Sequence, residues 1–286
     1  MKTRVHPVQV TGIRNSATVS SHADLLATEE PLAIRLGYGP VDNRQQQQLS
    51  VTMRTPGHDV ELVTGFLFSE GIIRTYQDII SIRHCQQVEL PAERENTMRV
   101  ELSPSVDIAW ENQQRYSYLS SSCGVCGKTS IEAVNATCPA LPSTDVEVHP
   151  DVIHAAPDQL RQAQLIFNRT GGLHAAGLFS VTGKLRSWHE DVGRHNALDK
   201  LIGAALADGT LPLSQSFVLL SGRISFELVQ KALMAGVPLL AAVGAPSSLA
   251  VTLAETYGMS LLGFVREQRF NIYTGQERVA RCSSIA

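Results

Sequence analysis

Nowhere does the sequence hold about 18 uninterrupted apolar residues, the length that a membrane helix needs. Its opening residues, Met1-Lys2-Thr3-Arg4-Val5-His6, lack the apolar run of a secretion signal. The expectation is a cytoplasmic protein with no membrane insertion. Charge of neither sign is in excess: 24 Lys plus Arg against 27 Asp plus Glu give a formal charge of -3. That balance argues against a nucleic-acid partner while permitting a local basic pocket. Cysteine is sparse, with five residues at 85, 123, 126, 138 and 282 in a chain of 286. In a reducing compartment these are not a disulfide framework. There is no second Cys-x-x-Cys to complete a closed zinc site. The glycine turns at Ser221-Gly222-Arg223 and Gly244-Ala245-Pro246-Ser247-Ser248 are neither Walker loops nor dinucleotide-binding fingerprints.

What the chain does have is the stretch Ser121-Ser122-Cys123-Gly124-Val125-Cys126-Gly127-Lys128-Thr129-Ser130. Glycines beside both thiols suit a loop that lifts them toward solvent or a partner. Lys128 is close enough in sequence to favour the thiolate, the nucleophilic form of cysteine. Three readings stand at this point: sulfur chemistry, half of a metal site, or an incidental pair.

Periodicity divides the rest of the chain. Residues 1–28 read as an irregular arm, 29–118 as a small mixed domain, 119–150 as the thiol loop and a proline-punctuated linker, and 151–286 as a second α/β domain. In the small domain, Pro31–Tyr38 and Leu49–Thr55 read as strands, with a turn or loose loop over Asn43–Gln48. A helix is expected from Asp59, its cap, to Glu70, and short strands over 79–83, 87–90 and 98–102. In the second domain the expected order is a helix over 157–168, a hairpin over 173–188, a helix over 191–207, then strands 217–220, 237–243 and 260–265 alternating with helices 225–235 and 247–257. Such alternation predicts a sheet with parallel members, helices on its faces and a ligand site at strand C-termini.

Polar residues gather where that site is expected. His189-Glu190-Asp191-Val192-Gly193-Arg194-His195-Asn196 admits two roles. In one, Asp191 caps a helix and Glu190 pairs with Arg194. In the other, Arg194 contacts phosphate or pterin oxygens and His195 donates a hydrogen bond or moves a proton. Ser221-Gly222-Arg223 and Gly244-Ala245-Pro246-Ser247-Ser248 each follow a strand and precede a helix, as phosphate-binding turns do. Arg266, Arg269, Phe270, Asn271, Tyr273 and Gly275 follow the last of these strands, mixing basic and aromatic groups suited to a nucleotide. Arg54, Glu70 and His84 are weaker candidates.

Taken together, Cys123–Lys128, Gly171-Gly172-Leu173-His174, Glu190–Ala197, Ser221–Arg223 and Phe270-Asn271-Ile272-Tyr273-Thr274-Gly275 resemble the FdhD family of formate dehydrogenase accessory proteins, from about residue 28 onward. The resemblance implies a sulfurtransferase. A cysteine desulfurase would load sulfur as a persulfide, and the chain would pass it to the molybdenum bis-guanine-dinucleotide cofactor of the formate dehydrogenase catalytic subunit. It further implies Cys123 as persulfide carrier, Cys126 beside it, and cofactor binding by Phe270, Asn271, Ile272, Tyr273, Thr274 and Gly275. GDP is expected to occupy part of that site, joined by Arg194, His195, Ser221, Gly222 and Arg223, and the protein is expected to be a homodimer. The implied fold is α/β (α+β overall): a small mixed N-terminal domain and a cytidine-deaminase-like three-layer C-terminal domain. A zinc deaminase carries His-x-Glu at one helix start and Pro-Cys-x-x-Cys at the next. Here those places hold His189-Glu190-Asp191 and Ser221-Gly222-Arg223, so the zinc ligands are missing and deamination is not expected. Two rival functions are a noncatalytic cofactor chaperone and a dithiol oxidoreductase.

Overall fold

The computed structural model describes residues 3–14, 17–85, 91–108, 141 and 145–281. Cys123, Cys126 and Lys128 lie outside the described residues, as do the strand expected over 87–90 and Cys138 and Cys282.

The first sheet arises from simple alternation. In β3 (Glu30–Tyr38) Leu32, Ile34 and Leu36 point to one face and are buried, while Arg35 stays partly wet. β3 lies between β4 (Gln45–Arg54) and β6 (Thr97–Leu102), with β5 (Ile79–His84) outside β6, giving the order β4-β3-β6-β5. The glutamine run 45–48, expected as a loop, belongs to β4 and pairs residue by residue with β3 from Tyr38↔Gln45 to Arg35↔Gln48. Backbone pairing is indifferent to side-chain polarity, and an edge strand can leave glutamines in water. α1 (Asp59–Ser69) lays Leu62, Val63 and Leu67 on this sheet. Asp59 does not cap it. Its carboxylate accepts from Arg54 Nε and an Arg54 terminal nitrogen at 2.9 and 3.0 Å, and His58 holds the cap position in the left-handed region at φ 57°.

The segment expected as an irregular arm instead forms an antiparallel hairpin, β1 (Val5–Arg14) with β2 (Ala17–Ala27). Its base is closed by Thr28 N donating to Arg4 O.

The second sheet has the order β12-β11-β10-β9-β7-β8. β7 (His174–Ser180) and β8 (Leu185–Asp191) form the hairpin. β9 (Ser216–Leu220), β10 (Leu239–Ala242) and β11 (Ser260–Arg266) run parallel, and β12 (Arg269–Thr274) returns antiparallel along the edge. α4 (Arg194–Ala207), α5 (Phe226–Met234) and α6 (Ser248–Thr256) cover one face through Leu198, Leu201, Leu228, Leu233 and Leu253. α2 (Pro150–Ala163) covers the other, where Leu160 meets Phe179 and Phe217, whose rings stack at 5.1 Å. α3 (Phe167–Thr170) is a short turn leading into β7. The helix expected over 157–168 therefore begins earlier and stops earlier. Pro150 opens it, at a position where a missing N–H costs nothing, and Pro157 lies inside it.

The two sheets meet through α1 and α4. A Cβ at Gly65 would collide with the Asp199 carbonyl, and one at Gly203 with the Glu61 carbonyl, so the helix backbones touch. Glycine is required at both places by close approach.

Candidate functional site

Three strand ends form the floor of the site. After β9 the chain turns at Ser221-Gly222-Arg223, after β10 at Val243-Gly244-Ala245, and β11 bends at Gly263-Phe264. The ladder continues through these turns: Gly244 N donates to Gly222 O and Phe264 N to Gly244 O, each at 3.0 Å. Side chains are excluded from this shelf. A Cβ on Gly222 would sit 3.1 Å from His174 Nδ1, and one on Gly244 would lie 2.8 Å from Gly222 O. Ser221 Oγ accepts from Ala175 N at 2.8 Å and ties the first turn to β7.

Beside this shelf lies a cleft of about 560 Å³, walled by Arg161 of α2 and Gln164 just after it, by Gly172 and His174, and by Ser221 and Val243. His174 is half-buried, and its pKa is lowered by burial first and then by its neighbours Arg194 and His195. Arg194 opens α4, and its Nε is buried with no hydrogen-bond partner among the described residues. An anion placed there would supply the missing acceptor. His195 Nε2 lies 3.0 Å from Ser225 Oγ and 3.2 Å from Glu227 Oε2. Because Ser225 Oγ itself donates to Glu227 Oε2 at 2.9 Å, the carboxylate anchors both groups. Burial alone would raise the Glu227 pKa, but its bonds from His195 and Ser225 outweigh that and lower it.

Much of the motif around residue 190 serves elsewhere. Glu190 does not pair with Arg194; its carboxylate accepts from Ile166 N and Phe167 N at 3.2 and 2.9 Å. Asp191 is not a helix cap either, since β8 runs through it and Gly193 holds the cap position of α4. Fully buried, Asp191 pairs with Lys200 at 2.7 Å and accepts from Thr55 N at 3.1 Å and Gly193 N at 2.8 Å. Asn196 Nδ2 donates to Met53 O at 2.7 Å. Lys231 pairs with Asp199 at 2.9 Å and with Glu70 at 3.6 Å. These groups fasten one domain to the other. Arg54 and His84, weaker candidates from sequence, both face Asp59.

The stretch Phe270–Gly275 lies on the edge hairpin, outside the cleft lining. Phe270 is half-buried against His154, with ring centroids 5.1 Å apart, and Thr274 Oγ1 donates to Met259 O at 2.7 Å. Gly275 takes φ 67° above Ser260. Asn271, Ile272 and Tyr273 are exposed. Tyr273 reaches back toward the shelf: a Cβ on Gly263 would lie 3.0 Å from its Cε2 and 2.9 Å from Pro246 Cδ. Arg223 is exposed at the first turn. Sequence reasoning thus passed over Ser225, Glu227 and Arg161. The helix-start position of Ser225 was a usable signal; the contact of Glu227 with a residue 32 positions earlier was not.

Among the described residues no group of three His, Cys, Asp or Glu side chains is placed to hold a metal ion, and no helix is long and apolar enough to cross a membrane.

A model of the FdhD/NarQ family matches residues 27–280. The chain belongs to that family. It is 48% identical over 275 residues to the "Sulfur carrier protein FdhD" of Streptomyces coelicolor, covering 95% of this chain and 94% of that one. The protein of the same name from Mycobacterium tuberculosis is 48% identical over 266 residues, covering 91% of this chain and 94% of its own. The fold is also that of a protein from Desulfotalea psychrophila assigned as a formate dehydrogenase accessory protein, whose crystal structure superposes with a TM-score of 0.74 at 24% identity over 97% of this chain and 100% of that one.

Proposed function

We propose that this family member is a sulfur carrier that takes persulfide sulfur from a cysteine desulfurase and delivers it to the molybdenum bis-guanine-dinucleotide cofactor, for use by formate dehydrogenase. The observation that carries the binding half of this reading is the glycine shelf beside the unpartnered Arg194 Nε. The Arg194 guanidinium and the imidazoles of His174 and His195 gather beside this shelf, where a nucleotide's phosphates would be held. The sulfur half rests on kinship with proteins named sulfur carriers and on the Cys123-Gly124-Val125-Cys126 motif. We further read the second domain as a deaminase-like scaffold whose zinc-ligand positions have other duties: the His189 ring packs edge-on against His58 at 4.8 Å, and the turn at Ser221–Arg223 forms the shelf.

The chemistry balances in two steps. The Cys123 thiolate attacks the outer sulfur of the desulfurase persulfide; the donor cysteine leaves as thiolate, and the new S–S bond resides on Cys123. For delivery, Cys126 thiolate attacks Cys123 Sγ, forming a Cys123–Cys126 disulfide and expelling the outer sulfur as hydrosulfide toward molybdenum. The two electrons that reduce that sulfur come from the thiol pair, which a cellular thiol reductant restores. On incubation with desulfurase and cysteine, intact-mass spectrometry should show one reducible sulfur gained by wild type and none by Cys123→Ala. Wild type that gains nothing beside a demonstrably active desulfurase contradicts the reading.

A further inference from the structure

One face of the first sheet packs on α1; the other carries like charges in a row. Arg35 of β3 pairs in register with Arg99 of β6, and Arg99 pairs with Arg83 of β5, so three arginines stand side by side on neighbouring strands. Strands lie about 4.8 Å apart, and like charges directly opposite one another destabilise a sheet. Among the described residues, Glu101 is the carboxylate that answers them. One of its oxygens accepts from Arg99 Nε at 2.7 Å and the other from Arg44 at 2.9 Å. Arg35 and Arg83 make no hydrogen bond or ion pair among the described residues; Arg83 is exposed and Arg35 partly so. This local excess of positive charge stands on a chain whose formal charge is -3.

The same face continues into apolar surface. Pro31 pairs with Met53 and Ala33 with Val51, and by alternation these side chains share the side of Arg35. Val51 is 39% exposed and Met53 46%. A phosphate group or a nucleic acid would use the arginines and leave the apolar part idle, whereas a protein surface uses both. Arginine and methionine are enriched in protein interfaces and lysine is depleted; the four strands hold no lysine.

The place of this face in the fold selects the partner. α1 and α4 stand between the first sheet and the second, so a protein docked here leaves the strand-end shelf open. The enzyme that receives the cofactor has to reach that shelf. The sulfur donor has to reach only Cys123, which follows β6 in the chain. We propose that the outer face of the first sheet docks the cysteine desulfurase through an acidic, partly apolar surface of that enzyme. This docking rests on the sulfur-carrier reading and adds to it the surface on which the donor sits. Charge complementarity of this kind acts mainly on the rate of encounter and its salt dependence.

The test follows sulfur gained by the full-length protein against desulfurase concentration, by intact-mass spectrometry, for wild type, Arg35→Glu/Arg83→Glu and Arg35→Gln/Arg83→Gln, with thermal unfolding of each. Because neither arginine is bonded within the described residues, both variants should keep the wild-type unfolding midpoint. At low desulfurase concentration and low salt the charge reversal should slow loading roughly 10-fold or more, and the glutamine pair less. The three proteins should converge at about 0.5 M salt, where the charges are screened, and at saturating desulfurase. If a folded variant of either kind loads as fast as wild type with the same salt dependence, or its deficit persists at saturating desulfurase, the docking role is overturned alone. It is overturned too if the variants load normally but fail to activate formate dehydrogenase, which would give the face to the acceptor. Wild type that gains no sulfur beside an active desulfurase overturns the carrier reading, and the docking role with it.

Discussion

Two regions with similar claims from sequence behave in opposite ways. The corner from His189 to Lys200 is dense in charge, yet Glu190, Asp191, Asn196, Asp199 and Lys200 are all buried and bonded, mostly to the first domain or to neighbouring turns. Arg194, from the same stretch, instead turns to the strand-end shelf with its Nε unpartnered, beside bare glycine backbone and the exposed Arg223. Charge density alone therefore does not mark a ligand site. An unpartnered buried donor beside an open cleft is the better guide, because a buried polar group without a partner is costly unless something arrives to meet it.

The sharpest test of this contrast is at the junction. Lys200→Met leaves Asp191 buried and unpaired and should cost about 3–5 kcal/mol in urea unfolding. Adding Asp191→Asn should recover much of that loss, which a shelf residue could not do. Next in size is an acid response at the same corner. Burial, then the charge of His58, whose ring centroid lies 4.8 Å away, hold the His189 pKa down to about 4. The unfolded chain binds that proton near the ordinary value of about 6.5. The stability from neutral His189 is therefore complete above about pH 6.5 and lost as pH falls toward 4, by about 3 kcal/mol. His189→Asn should lose less stability than wild type over that window; an equal loss would place the acid sensitivity elsewhere. The smallest effect on stability belongs to the shelf. Arg194→Gln should leave unfolding within about 0.5 kcal/mol of wild type while weakening GDP roughly 10-fold. A large stability loss with unchanged affinity would move Arg194 into the junction class.

These regions also show what was legible in the chain. Parallel strands reveal themselves by local apolar runs, so β9, β10 and β11 fall within about two residues of their expected bounds. The turn at Ser221-Gly222 was readable because glycine after a strand and before a helix has a local cause. Asp191 was misread because its partners, Thr55 and Lys200, come from different domains, and no local pattern announces a contact across 136 positions. The glutamine strand was missed for a related reason: β3 supplies the pairing that Gln45–Gln48 do not advertise themselves.

The most direct test of sulfur delivery extends the loading experiment. Protein carrying isotopically labelled sulfur on Cys123 would be mixed with the molybdenum cofactor and inactive formate dehydrogenase, then resolved by mass spectrometry and enzyme assay. The account predicts that label leaves the protein for the cofactor, that a Cys123–Cys126 disulfide appears, and that formate oxidation rises in step. Full activation with the label still on Cys123, or with a Cys123→Ala protein, would contradict it.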